Sequence, residues 1–181
     1  MKKAVFGIAN SERQAERTVQ ELLDHGFVNE EISVLMHDAD SRIGSTLKDK
    51  KSTLGVEKHT KAPEGGATGA LSGGIIGGTI GLLAGIGALA IPGLGPFIAA
   101  GPIMAALGGS AVGGSLGLLA GALVGLGIPE YEAKHYQDRL KAGGILIAVH
   151  TVSDEQENQV KKIYTNNQIE DVSTSKEKAR K

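Results

Sequence analysis

The side chains able to do chemistry are few and poorly grouped. The chain holds five histidines, 20 acidic residues and no cysteine. Without cysteine there is no thiolate nucleophile, no disulfide and no sulfur-ligated zinc site. The densest cluster is "HDAD", His37 to Asp40, whose nitrogen and oxygen donors suit a divalent cation. It lacks the spacing of a calcium loop and closes an apolar run, where polar turn residues are ordinary. No metal is expected there. His25, His59, His135 and His150 are scattered, with no nucleophile or paired carboxylate at a spacing that argues a triad. "GIGALA" from Gly85 fits a dinucleotide-binding glycine pattern, but no strand precedes it and no acidic residue follows about twenty positions on. The residues therefore predict no catalytic group, no cofactor and no enzyme.

The other chemistry on offer is that of close backbone contact. From Gly65 to Pro129 there is no Asp, Glu, Lys, Arg or His, and 21 of the 27 glycines lie in this block. They keep a beat of four: Gly65, Gly69, Gly73, Gly77, Gly81 and Gly85, then Gly109, Gly113, Gly117, Gly121 and Gly125. Interior glycines cost a helix in water about 1 kcal/mol each relative to alanine. In lipid, or in a dry bundle, they allow helices to touch backbone to backbone. The expectation is a helical hairpin, one arm over Gly65 to Ile91 and the other over Ile103 to Ile128, turning through "PGLGPFIAAGP". Each arm would be about 40 Å long at 1.5 Å per residue, enough for a bilayer core. Lys48, Lys50, Lys51, Lys58 and Lys61 before the block, with Arg139 and Lys141 after it, put both termini on the cytoplasmic side. A row spaced by four drifts around a helix of 3.6 residues per turn. It cannot face one straight partner throughout, so contacts between copies are expected. The competing reading is a homo-oligomer whose hairpins form a buried common core away from lipid. A net charge of −1, no tryptophan and only three each of Phe and Tyr argue against a nucleic-acid partner.

These features need a frame, and the flanks supply one. "KAVFGIA" reads as a strand. A helix follows, capped by Ser11 with Gln14 three residues on, with Ala15, Val19, Leu22 and Leu23 on one face and Gly26 as its stop. "EISVLMH" is a second strand. After the block, "YEAKHYQDRLKAGG" is a helix ended by Gly143. "GGILIAVHTV" is a strand, and a helix capped by Ser153 and Gln156 buries Val160, Ile163 and Tyr164. "QIEDVSTS" is a last, weak strand. Two β-α-β halves predict an α+β, ferredoxin-like domain: a four-stranded antiparallel sheet with two helices on one face and the other face open. The expected organisation is residues 1–36 and 130–174 as the two halves of that domain. Residues 37–64 are a polar linker, 65–129 the glycine-zipper hairpin and 175–181 a basic tail.

The stretch "AVFGIANSERQAERTVQELLDHGFVNEEISVLM" resembles the N-terminal signature of the bacterial general stress protein 17M-like (heat-induced stress protein) family. The shared pattern is a hydrophobic strand, a polar helix start, the step from Leu22 to Phe27, and Glu31 to Val34. The resemblance implies a non-enzymatic, stress-associated role and transfers no catalytic residue. The combined expectation is a protein of the cytoplasmic (inner) membrane that self-associates through Gly69, Gly73, Gly77, Gly81, Gly85, Gly109, Gly113, Gly117, Gly121 and Gly125. A cytoplasmic homo-oligomeric scaffold is the alternative.

Overall fold

The computed structural model describes residues 3–37, 87–91, 95–103 and 118–176. In chain order the elements are β1 (Lys3–Ala9), α1 (Glu12–Asp24), a 3-10 turn (Asn29–Glu31), β2 (Ile32–His37), β3 (Gly87–Ile91) and β4 (Gly95–Ala100). They continue with α2 (Leu118–Gly125), α3 (Glu130–Lys141), β5 (Ile145–Thr151), α4 (Asp154–Asn166) and β6 (Glu170–Lys176). The chain is α+β with an antiparallel sheet.

Both flanking halves start their helices in the same way. The Ser11 hydroxyl accepts from Gln14 N–H, and the Gln14 carboxamide accepts from Asn10 N–H at 2.7 Å. Ser153 and Gln156 repeat this, with Gln156 Oε1 accepting from Val152 N–H at 2.8 Å. The returning bond thus reaches the residue before the cap in both copies, one position earlier than in a standard capping box. Gly26 and Gly143 end their helices at φ +90° and +94°, where a Cβ would be strained.

The sheet runs β3-β4-β2-β5-β1-β6. Strands β2, β5, β1 and β6 pair antiparallel, with Val34 opposite Ile147, Val5 opposite Val149 and Phe6 opposite Ser173. Alternate residues of each strand point to opposite faces. On one face Val5, Ile32, Val34, Ile145, Ile147 and Val149 meet Val19 and Leu22 of α1 and Val160, Ile163 and Tyr164 of α4. On the other, Phe6, Ile8, Leu35, Phe97, Leu146 and Ala148 meet Leu119 and Leu123 of α2 and Tyr136 and Leu140 of α3.

Three expectations are corrected here. Among the described residues the sheet has six strands, because the glycine block adds β3 and β4 beside β2, with Met36 opposite Ile98 and Leu89 opposite Phe97. The face expected to be open is covered by α2 and α3. The helix expected to run through Gly65 to Ile91 is strand at its end, and the expected turn holds β4. Proline is the reason: Pro92, Pro96 and Pro102 each lack an N–H and would clash with a preceding helical turn, which disfavours helix at Gly87–Ile91 and Gly95–Ala100. Residues 65–86 lie outside the described residues. Of the second arm, Leu118–Gly125 is helix and the chain turns at Gly127, at φ +92°.

The junction between block and domain is tight. Gly101 sits at φ +75°, and a Cβ there would fall 2.0 Å from the carbonyl oxygen of Ile32. Two residues on, the Ile103 N–H donates to the buried Ser33 hydroxyl at 3.2 Å. At the start of α2, where helix N–H groups have no partner of their own, Ala120 N–H donates to Gln137 Oε1 of α3 at 3.3 Å.

Candidate self-association surface

Of the ten glycines expected to pack helices, Gly121 and Gly125 fall in the described helix α2. Gly69, Gly73, Gly77, Gly81, Gly85, Gly109, Gly113 and Gly117 lie outside the described residues. Successive residues of a helix are rotated by about 100°. Leu119, Ala120, Ala122 and Leu123 occupy the side of α2 that is buried against the sheet and α3. Gly121 and Gly125, four apart, fall together on the opposite side. Gly121 is half-buried and Gly125 exposed, and a Cβ on Gly125 would have nothing within 4 Å. The protomer therefore uses Leu119 and Leu123 of α2 for its own core and leaves Gly125 exposed on the opposite side.

The two edges of the sheet are built differently. β6, "EDVSTSK", carries Glu170, Asp171 and Lys176, and its pairing with β1 is broken by a bulge between Phe6 and Ile8. Asp171 adopts φ +51° there. Charges, a bulge and irregular backbone are what keep an edge strand from accepting another strand. β3, "GALAI", has no charged residue and no proline, and among the described residues it is the other edge.

The charged groups that do converge fasten elements to one another. Asp171 Oδ2 lies 3.0 Å from Arg139 Nε and 3.1 Å from His135 Nε2, and Arg139 also pairs with Glu170. The Arg139 Nε–H is buried and is not aligned on an acceptor. Arg139 Nη2 donates to Asn10 Oδ1 at 2.9 Å, so this one side chain joins α3, β6 and the loop after β1. Beside it the Tyr136 hydroxyl, whose pKa burial pushes up to about 12, bonds the Asp171 carbonyl and the Ser173 hydroxyl. A second network centres on Glu157 of α4. It pairs with Lys161 and with Lys3 of β1, and these hydrogen bonds pull its pKa down to about 2. Lys3, also bonded to Asp154, is held above the usual lysine range. Helical spacing of four signals the Glu157–Lys161 pair, but not Arg139 with Glu170 and Asp171 or Lys3 with Asp154 and Glu157, which lie more than thirty positions apart and are brought together by the sheet.

His37 ends β2 and meets the Phe97 ring edge to face, with centroids 4.9 Å apart. Asp38 and Asp40 lie outside the described residues. Among the described residues no three His, Asp or Glu side chains are grouped to hold a metal ion. No helix among them is long and apolar enough to cross a membrane. No protein-family model, no curated protein and no solved structure matches this chain.

Proposed function

We propose that the chain is a non-enzymatic, homo-oligomeric scaffold: a ferredoxin-like domain whose glycine-rich block forms a common core between copies. The observation that carries this reading is the division of labour on α2. Its apolar side is consumed by the protomer, while Gly121 and Gly125 fall on the other side, Gly121 half-buried and Gly125 exposed with nothing within 4 Å of where its Cβ would stand. A glycine face gives no burial of its own to a monomer and costs helix stability, so its use lies in admitting another backbone at close range. The order β2-β5-β1-β6 within the sheet, with α1 and α4 on one face, supports the ferredoxin-like description. The resemblance to the general stress protein 17M-like family supplies the proposed setting, a stress-associated role. The bilayer reading has less support, since α2 spends its apolar side on protein and β3 and β4 replace the expected helical tip.

Sedimentation of the full chain over a range of concentrations tests the proposal. Wild type should assemble, and Gly125→Leu should weaken that assembly while leaving the melting temperature nearly unchanged. A chain that stays monomeric at all concentrations overturns it. Retention of the chain in carbonate-washed membranes would restore the bilayer reading in its place.

A further inference from the structure

The edge strand β3 has a backbone phase that can be read from its neighbour. Its register places Ala90 opposite Pro96 and Leu89 opposite Phe97. Residues facing each other across an antiparallel pair alternate between those that exchange both hydrogen bonds and those that exchange none. Pro96 has no N–H to give, so Ala90–Pro96 belongs to the non-bonded set. Leu89–Phe97 and Gly87–Ala99 are then the bonded pairs. It follows that Ala88 and Ala90 direct their N–H and C=O groups away from β4, toward the outer edge.

Resting on the scaffold reading above, we propose that this edge pairs with β3 of a second copy, antiparallel and about a two-fold axis at Leu89. That register sets Ala88 opposite Ala90 of the second copy, and Ala90 opposite its Ala88. Those are the residues with outward N–H and C=O groups, so both facing pairs are hydrogen-bonded ones. Leu89 faces its own counterpart as a non-bonded pair, and Gly87 faces Ile91. The strand is thus complementary to itself in hydrogen-bond phase. It also carries no charged residue, so pairing two copies brings no like charges together. A self-complementary patch on each partner is what a closed two-fold dimer requires. The defended β6 edge on the far side would stop such pairing from running on into a fibre.

The absence of native cysteine makes the test direct. Single cysteines are placed at 87, 88, 89, 90 and 91 in the full chain, which is then oxidised. In a non-bonded antiparallel pair the facing Cα atoms are about 4.5 Å apart, within disulfide range. Leu89→Cys should therefore give a covalent dimer, while cysteines at 87 and 91 should not. Ala90→Pro removes an outward donor that β4 does not use, and should weaken dimerisation about tenfold or more. Leu89→Pro removes a donor bonded to β4 and should lower the melting temperature instead. If the wild type assembles but cross-linking shows no maximum at 89 and Ala90→Pro leaves the assembly unchanged, the edge pairing is wrong and the scaffold reading stands. If the wild type is monomeric, both fall.

Discussion

The Tyr136 hydroxyl, on the helix that follows the glycine block, donates to the main-chain carbonyl of Asp171 on the last strand, 2.6 Å away. That bond ties the second helical layer to an edge strand that is otherwise irregular. Tyr136→Phe keeps the ring packing on Phe6 but leaves the carbonyl and Ser173 short of a partner. Urea unfolding should show a loss of about 1–2 kcal/mol.

The same hydroxyl predicts behaviour at high pH. Its pKa in the folded chain is raised by burial from 10.0 to about 12, and burial pushes Tyr164 well above the ordinary value as well. A raised folded value gives stability that is complete below pH 10 and is lost as pH rises toward 12. Alkaline unfolding should therefore fall in that window. Tyr136→Phe should make the curve less steep there.

Acid should act through Glu157. Lys161 and Lys3 lower its pKa from 4.5 to about 2. A depressed folded value gives stability present above pH 4.5 and lost as pH falls toward 2. Melting temperatures measured from pH 5 down to pH 2 should drop more steeply in wild type than in Glu157→Gln. Salt should reduce the difference, because Lys161 is partly exposed.

Two glycines of one block should respond in opposite directions. Gly101→Ala combines an unfavourable φ of +75° with a Cβ only 2.0 Å from the Ile32 carbonyl, and should cost about 2–3 kcal/mol or more. Gly125→Ala meets open space at the end of a helix, and should be neutral or stabilising by up to about 1 kcal/mol. Paired thermal melts check this. A large loss from Gly125→Ala would place that residue against something in the protomer.

A third glycine, Gly7, lies in the middle of β1 beneath Tyr164. A Cβ there would come 2.4 Å from Ile169 Cγ2 and 3.0 Å from the Tyr164 ring. Gly7→Ala should cost about 1–3 kcal/mol by overpacking. Adding Ile169→Ala should recover part of that loss, which a double-mutant cycle would show as favourable coupling.

The flanks were legible because local signals agreed with the final packing. Ser11 with Gln14, and Ser153 with Gln156, mark where the helices begin, and Gly26 and Gly143 mark where two helices end. The covered second face was also written in the chain. "ILIAV" in β5 is apolar at every position, where a sheet with one wet face would alternate. The glycine block was harder to read. The repeat of four argues for helix up to Ile91 and the three prolines for a turn after it, and neither signal marks the strands Gly87–Ile91 and Gly95–Ala100. Arg139–Asp171 and Lys3–Glu157 left no trace in spacing, since their meeting depends on which strands become neighbours.

Because α2 and β4 help to seal the sheet's second face, the glycine-rich stretch is not an ornament threaded through a finished domain. Cutting residues 65–129 out would remove Leu119 and Leu123 from the cluster that holds Phe6, Ile8, Leu35 and Leu146, and wet part of a largely apolar surface. Host and insertion should then fold and fail together, because they share one buried cluster.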